Sequence, residues 1–456
     1  MEITKELAKF CSELKFEKFA FEVVDRAKYF ALDFLGVTAR GSQEDSSKAV
    51  NKFIKEMDST NEGGVVIGTK LKSPYIYSAL ANGTAAHALE LDDVNNEASM
   101  HPGAVIFPAA FAACEMANKG GKEFIEGVVL GYEVMIRLGK ALGPKEHYNR
   151  GFHPTGTCGT FGATATVAKI LALNEWQTLN ALGIAGSQAA GSMEFLAQGA
   201  WSKRMHPGWA AHSGIIATCL AKNGFTGPSS IIEGKFGFLH GYSDNADPKK
   251  VLDRLGSDFE IKNCSIKPHA CCRYMQPPID AILKIIEENK IKPNDIEKIT
   301  LGILKAGFPI IASPPELKYN PKTTYEAQFS MPFGAAVAIL FGKVTLDEFT
   351  MDKLNSPEIK TLMKKVSCVE NPELEKVYPK HWPAIGEIKI KDGKTLSVRI
   401  EYPKGDPENP LSWDELIEKF NGLVSSIYSK ERQEMIIGQL RGIEKAENLR
   451  QFVSIL

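Results

Sequence analysis

The sequence has no surplus of charge of either sign. There are 54 Lys and Arg residues against 55 Asp and Glu, a formal net charge of -1 over 456 residues. No overall field therefore draws the chain to nucleic acid or to an acidic membrane, and a small anion has to be held by local cations. Long apolar runs are missing too. No stretch reaches eighteen consecutive apolar residues, so no membrane-spanning helix is expected. The opening residues, MEITKELAKFCSELKFEKF, mix both charge signs and lack the apolar centre of a signal peptide. Cysteine is scattered: eight residues, none in a Cys-x-x-Cys pair, which argues against zinc ribbons and cysteine-ligated iron–sulfur clusters. Reduced thiols in a cytoplasmic protein are expected, with the adjacent Cys271 and Cys272 as the pair to keep in view.

What is present is the balance of a globular protein, 44% hydrophobic and 24% charged, with length for two unequal domains. The first two-thirds read as successive helices near 21–37, 74–92, 104–118, 122–142, 159–173, 176–197 and 208–223. Several are rich in Ala and Gly (SALANGTAAHALE, FGATATVAKILAL, ALGIAGSQAAGS), a composition that lets helix backbones approach closely in a buried centre. After about residue 262 the pattern changes. IEKITLGIL (296–304) alternates like a strand, and GEIKIKDGKTLSVRIEYP (386–403) reads as a hairpin turning at Asp392-Gly393. Helical stretches near 276–289, 329–341 and 346–365 are interleaved. Ser412 to Glu415 is a capping box that returns the chain to helix, with another helix near 430–440. The expected fold is mainly α: a large all-helical domain from 1–262 and 404–456, and a smaller α+β domain from 263–403.

Three histidines precede prolines: His101-Pro102, His153-Pro154 and His206-Pro207. The residue before proline is driven from the α region, which places these histidines at helix entrances. There, outward N–H groups favour an anion, and nearby Lys203 and Arg150 add positive charge. Plain N-capping is the alternative. Glu90, Asp92 and Asp93 follow His87 near a helix end, where negative charge opposes the macrodipole. They can orient a histidine, bind a substrate hydroxyl or, with His87, hold a metal, although no paired ligand motif accompanies them. A third group is Lys267-Pro-His269-Ala-Cys271-Cys272-Arg273-Tyr274-Met-Gln276. Lys267 and Arg273 flank two thiols at a helix entrance, so Cys272 is either an acid/base of lowered pKa or a packed thiol.

Taken together and in order, these segments resemble the MmgE/PrpD family. The stretches are HALELDD with HPGAVIFPAA, RGFHPTGTCGTFGA, KRMHPGWAAHSGIIATCLAKNGFTGPSSIIEGKFGF, IKPHACCRY, EAQFSMPFGAAVA and GDPENPLSWDELIEKF, spanning about residues 5–440. The resemblance implies a homodimer whose α+β domain acts as a lid over a cleft, and catalysis with no cofactor and no metal on a small di- or tricarboxylate. It places His101, His153, Lys203 and Lys267 at active-site positions, Glu90 near an active-site acid, and Asp92–Asp93 as the paired acids beside it. Cys272 stands where the family's decarboxylases and its dehydratase carry histidine, and Phe333 where the decarboxylase carries an active-site tyrosine. The expected catalytic set is thus His101, His153, Asp93, Lys203, Lys267 and Cys272, with Asp93 orienting an imidazole. Glu90, Asp92, His206, Arg273 and Gln276 are expected to bind substrate. The expected activity is that of a lyase dehydrating a 2-methylcitrate-like acid through an enediolate carbanion. An epimerase-like isomerase, a cis-aconitate-type decarboxylase and a non-catalytic polycarboxylate-binding protein are the alternatives.

Overall fold

The structure is a computed structural model that describes residues 2–58 and 60–456. The chain divides into two compact units, Met1–Cys264 with Ser412–Leu456, and Ser265–Leu411. Helix dominates, as the composition and periodicity predict, and the sheets are small.

In the first unit the helices that matter to function are α1 (Phe21–Gly41), α2 (Tyr75–Ala86), α3 (Gly103–Ala117), α4 (Gly121–Leu142), α5 (Pro154–Ile170), α6 (Ser202–Lys222) and α7 (Trp413–Val424). An aromatic core fixes their centre: Phe34 stacks on Phe107 at 5.2 Å, and Phe111 lies 4.7 Å from Phe124. The small residues then set how closely the helices approach. A Cβ on Gly83 of α2 would lie 2.6 Å from the Cα of Gly208 in α6, and one on Gly208 would lie 2.2 Å from the Leu80 carbonyl oxygen. The two helices therefore cross backbone to backbone. This crossing sets the last turn of α2, with His87 beyond it, beside the first turns of α6, with Lys203 and His206.

The C-terminal return is held by specific chemistry. Ser412 and Glu415 form the reciprocal capping box, and Lys419 in α7 reaches Asp33 of α1 at 2.6 Å and the Leu91 carbonyl at 3.2 Å. One expectation fails here. His206-Pro207 is not a helix entrance: α6 starts at Ser202 and runs through Pro207. Proline has no N–H to give the Lys203 carbonyl four residues back, and burial of this segment outweighs that loss.

The second unit holds a four-stranded sheet of β1 (Ile296–Ile303), β2 (Val366–Glu370), β3 (Ala384–Ile390) and β4 (Thr395–Ile400), in the order β2-β1-β3-β4. β1 pairs parallel with β2; the other pairs are antiparallel. The β3–β4 hairpin turns through Gly393 at φ +92°. The helix Gln276–Asn289 packs on the sheet, with Gly386 admitting Ala281. The stretch 346–365 is not one helix; it breaks into Met351–Asn355 and Pro357–Met363, where Ser356 caps the second piece. Residues 404–411 stay with this unit because Ile266 N–H bonds the Gly405 carbonyl at 3.0 Å and Ser265 Oγ bonds Asp406 at 2.5 Å.

The α2–α6 crossing makes a testable demand. In an ordinary helix interior Gly→Ala stabilises by about 1 kcal/mol. Gly208→Ala should instead destabilise by about 2 kcal/mol or more, because its methyl group meets a carbonyl oxygen. A urea midpoint at or above wild type would contradict the crossing.

Candidate active site

The site begins where α2 ends. His87 closes the helix, and the chain then turns sharply through Glu90, a non-glycine residue at φ +55°. Such a backbone is costly for a residue with a Cβ, and it is the kind of strain that functional sites retain. The turn buries Glu90, Asp92 and Asp93. Buried carboxylates need partners, and each has them.

Asp92 serves two imidazoles. Its Oδ2 lies 2.6 Å from His87 Nδ1 and 3.5 Å from His101 Nδ1. His101 Nδ1 also lies 2.7 Å from the Asp93 backbone carbonyl, which can only accept. Nδ1 of His101 therefore carries the hydrogen, and its Nε2 the lone pair. The carboxylate of Asp93 does something else. It accepts from Gly103 N–H at 2.8 Å, at the head of α3, and from the Tyr132 hydroxyl at 2.6 Å. The carboxylate that faces the imidazoles is thus Asp92 and not the expected Asp93, which contributes its backbone carbonyl to His101 and its side chain to Gly103 and Tyr132. Burial pushes the Asp93 carboxyl up to about 8, with the neighbouring Asp92 charge adding to the rise against the two hydrogen bonds.

His153 caps α5 from an extended backbone conformation, its N–H on the Gly191 carbonyl at 2.9 Å. Its Nδ1 lies 3.0 Å from Nδ1 of His206. Two facing Nδ1 atoms at that distance form a bond only when one carries the hydrogen and the other the lone pair. Four imidazoles make a row: His101 to His87 at 4.9 Å, His87 to His153 at 5.7 Å, and His153 to His206 at 5.2 Å between ring centres. Burial holds His153 well below its ordinary pKa, and the positive charges of its neighbours His87, His206 and Lys203 push the same way. Burial lowers His206 to about 4. Lys203, in the first turn of α6, is paired with the Glu90 carboxylate. The sequence signal for His87 was weak, because no proline follows it and the strained turn hides its proximity to Asp92. It stands at the middle of the row, and Tyr132 behind it was missed altogether.

In the second unit, Lys267 is 1% exposed and Cys272 is likewise buried, at the N-terminal cap of a short turn ahead of the Gln276–Asn289 helix. Arg273 pairs with the buried Asp406 and lies over the Trp382 ring at 5.6 Å. Gln276, expected to bind substrate, has its amide engaged with backbone groups. Its Oε1 accepts from His269 N–H at 3.1 Å and its Nε2 donates to the His269 and Cys271 carbonyls at 2.9 and 3.1 Å, so the amide braces the loop before it. Phe333, wholly buried, packs its ring 5.6 Å from Phe349.

Among the described residues, His87, Asp92 and His101 are the group with the geometry to hold a metal ion, their ligand atoms within 4.8 Å of one another. Their hydrogen bonds favour another use: two imidazoles donate through Nδ1 to oxygen acceptors, the arrangement of a carboxylate that orients bases. A concavity of about 870 Å³ between residues 42 and 71, lined by Lys48, Lys52, Lys55 and Lys70, contains none of this row. No helix among the described residues is long and apolar enough to cross a membrane.

A fold of this kind around a constellation of imidazoles, lysine and carboxylates defines a class, and the comparisons name it. The MmgE/PrpD N-terminal domain matches residues 5–251 and the MmgE/PrpD C-terminal domain residues 269–444, so the chain belongs to the MmgE/PrpD family. The cis-aconitate decarboxylase-like protein oryM of Aspergillus oryzae is 29% identical, covering 100% of this chain and 97% of its own. Cis-aconitate decarboxylase of Aspergillus terreus is 26% identical over 100% and 96%. The 2-methylcitrate dehydratase of Salmonella typhimurium is 23% identical over 91% and 88%. Decarboxylases and dehydratases are both lyases.

Asp93 gives this wall a pH signature. Unfolded, a carboxyl titrates near 3.9; folded, this one titrates at about 8. The folded state thus holds a proton that the unfolded state has lost between those values, and stability falls as pH rises from about 4 to 8. His153 and His206, with lowered values, act in the opposite sense below pH 6.5 and cancel in a comparison of variants. Asp93→Asn, which keeps the shape and both partners, should therefore gain in Tm relative to wild type as pH rises from 5 to 8. A constant difference across that range would refute a neutral Asp93.

Proposed function

We propose that the protein is a cytoplasmic lyase that works on a small polycarboxylate without a cofactor, and that it removes carbon dioxide from an unsaturated tricarboxylate of the cis-aconitate type. The observation that carries the reading is the row His101–His87–His153–His206, anchored by Asp92 and flanked by the Lys203–Glu90 pair. The comparisons support decarboxylation ahead of the dehydration that sequence reasoning ranked first, since the decarboxylase relatives match the whole chain at higher identity. All eight cysteines are unpaired with one another, which suits a reducing compartment.

The chemistry is one of charge. Breaking a C–CO₂ bond leaves an electron pair that must move into a conjugated carboxylate while a proton reaches the far carbon. Lys203 meets the developing negative charge. The imidazoles supply the proton, although burial keeps His153 and His206 neutral at rest. A substrate bearing two or three carboxylates brings the missing negative charge, raises the proton affinity of His153, and so recruits the proton that the reaction consumes. His206 fixes the tautomer. With His153 Nδ1–H donating to His206 Nδ1, a proton arriving on His153 Nε2 gives an imidazolium that already has its acceptor.

Dehydration of a 2-methylcitrate-like acid is the second reading, and one observation favours it. Phe333, at the position where the decarboxylase branch carries an active-site tyrosine, is a core phenyl ring with no hydroxyl to offer.

Incubation with cis-aconitate and 2-methylcitrate, followed by product mass, decides between them. Loss of 44 mass units means decarboxylation and loss of 18 means dehydration; an isomer of unchanged mass, or no turnover of either acid, would sink the lyase reading. His153→Ala should lower kcat at least about 100-fold in the active assay, and chelator should leave the rate unchanged. His206→Ala should lower kcat about 10-fold or more with KM little changed, and His206→Asn, which still offers an acceptor oxygen, should recover most of it. Equal losses in both His206 variants would show that the residue does not act through the His153 tautomer.

A further inference from the structure

Away from the imidazole row, lysine collects in one place and goes largely unmatched. The helix Asp45–Met57 carries Lys48, Lys52 and Lys55 at steps of four and three, hence on one face. With Lys70 from the turn at 68–71 they line the concavity of about 870 Å³. Lys48 meets Asp45 at 3.3 Å. Lys52, Lys55 and Lys70 have no ion-pair partner among the described residues. Lysines elsewhere in this unit are matched: Lys28 by Glu444, Lys140 by Glu260 and Lys419 by Asp33. The one acid among the described lining residues is Asp58. Like charges at these helical spacings repel, so the row is kept at a cost to the helix. The walls are fixed. Ile54, on the buried side of the same helix, packs with Val66, Leu71 and Ala81 in a small core. The ladder of Gly64–Val65 with Lys72–Ser73 closes the loop that bears Lys70. Gly68, at φ +74°, presses that loop against the end of α1, where an added Cβ would lie 2.6 Å from Ser42 Oγ.

We propose that this concavity binds a small polyphosphate, the phosphate chain of a nucleotide or inorganic triphosphate, at a site separate from the imidazole row. Size, charge and donor type agree on that class. Sites for small molecules enclose about 300–1,000 Å³, and this one falls inside that range. From Lys48 to Lys55 the helix rises about 10 Å, so the ammonium groups are strung along a line. A single carboxylate or phosphate cannot meet them all, whereas a chain of linked phosphates can. A phosphate monoester carries about −1.5 to −2 at pH 7, and two or three linked phosphates therefore balance the four lysines set against Asp58. No arginine is among the described lining residues, so the planar fork that grips a carboxylate at two points is missing; lysine binds phosphate as a point charge. A bilayer surface does not enter a concavity; its headgroups meet basic segments that lie flat or project. The inference holds whichever reaction the imidazoles perform, because none of them lines this space.

Calorimetric titration of the full-length protein with ATP and with sodium triphosphate, in magnesium-free buffer at about 0.1 M KCl, tests the proposal. Both should bind saturably. Lys52→Gln with Lys55→Gln and Lys70→Gln, all at exposed positions, should weaken each at least about 10-fold. Lys249→Gln with Lys250→Gln and Lys430→Gln removes the same charge from exposed positions outside the concavity, and should leave binding within about two-fold. Tighter binding of ATP than of triphosphate would assign a nucleotide, and equal binding the phosphate chain alone; either supports the site. No saturable binding of either at about 1 mM, equal losses in the two triple variants, citrate bound as tightly as triphosphate, or sedimentation with anionic lipid vesicles that ATP does not reverse would each overturn it.

Discussion

The Asp92 carboxylate decides what the rest of the site can be. It is buried, and it turns Nδ1 of His87 toward itself while standing within reach of His101. Burying a carboxylate and four imidazoles costs several kcal/mol if they are left unpaired. Here the cost is offset by giving each ring one committed nitrogen. Nδ1 of His87 and His101 face oxygen acceptors, and Nδ1 of His153 faces His206. The Nδ1 contacts thereby set which ring nitrogen bears the hydrogen and leave Nε2 of His87, His101 and His153 as the nitrogens that can take up a proton.

Much of this was legible in the sequence, for reasons that can be traced. Small residues at helical spacing announced close helix crossings, and Gly83 against Gly208 is such a crossing. The Ser412–Glu415 capping box and the Asp392-Gly393 turn are local chemistry and needed no tertiary context. His101 and His153 stood out because proline follows each. The failures share a different cause. Asp92 and Asp93 are adjacent and chemically identical, and only the turn at Glu90 determines which carboxylate faces the imidazoles and which faces Tyr132. Gln276 sits at a helix entrance beside Cys272 and Arg273, where a sequence reader sees a ligand-binding amide; burial spends it on the backbone of residues 269–271. His206 was placed at a helix start by its proline, yet tertiary packing carried the helix through.

α6 shows how one stretch of sequence answers two demands at once. Its inner residues are charged or titratable at Lys203 and His206, and they need rigid placement to within a fraction of an ångström to share hydrogen bonds with Glu90 and His153. Gly208 on the same helix meets α2 backbone to backbone, and a helix held by that crossing has little freedom to shift. That rigidity matters more in a site that works by placing protons than in one where a metal ion gathers its own ligands.

The resting electrostatics also bear on what the site accepts. Lys203 is already matched by Glu90, and burial keeps His153 and His206 uncharged, so this cluster at rest is not a strong attractor for a single carboxylate. An acid with two or three carboxylates changes that balance. One can compete with Glu90 for Lys203, and another can draw a proton onto His153, each step making the other more favourable. The coupling favours polyvalent acids over monovalent ones without a dedicated recognition pocket for each group. In the proposed reaction it would also tie binding to proton uptake, so that the event that selects the substrate arms the acid.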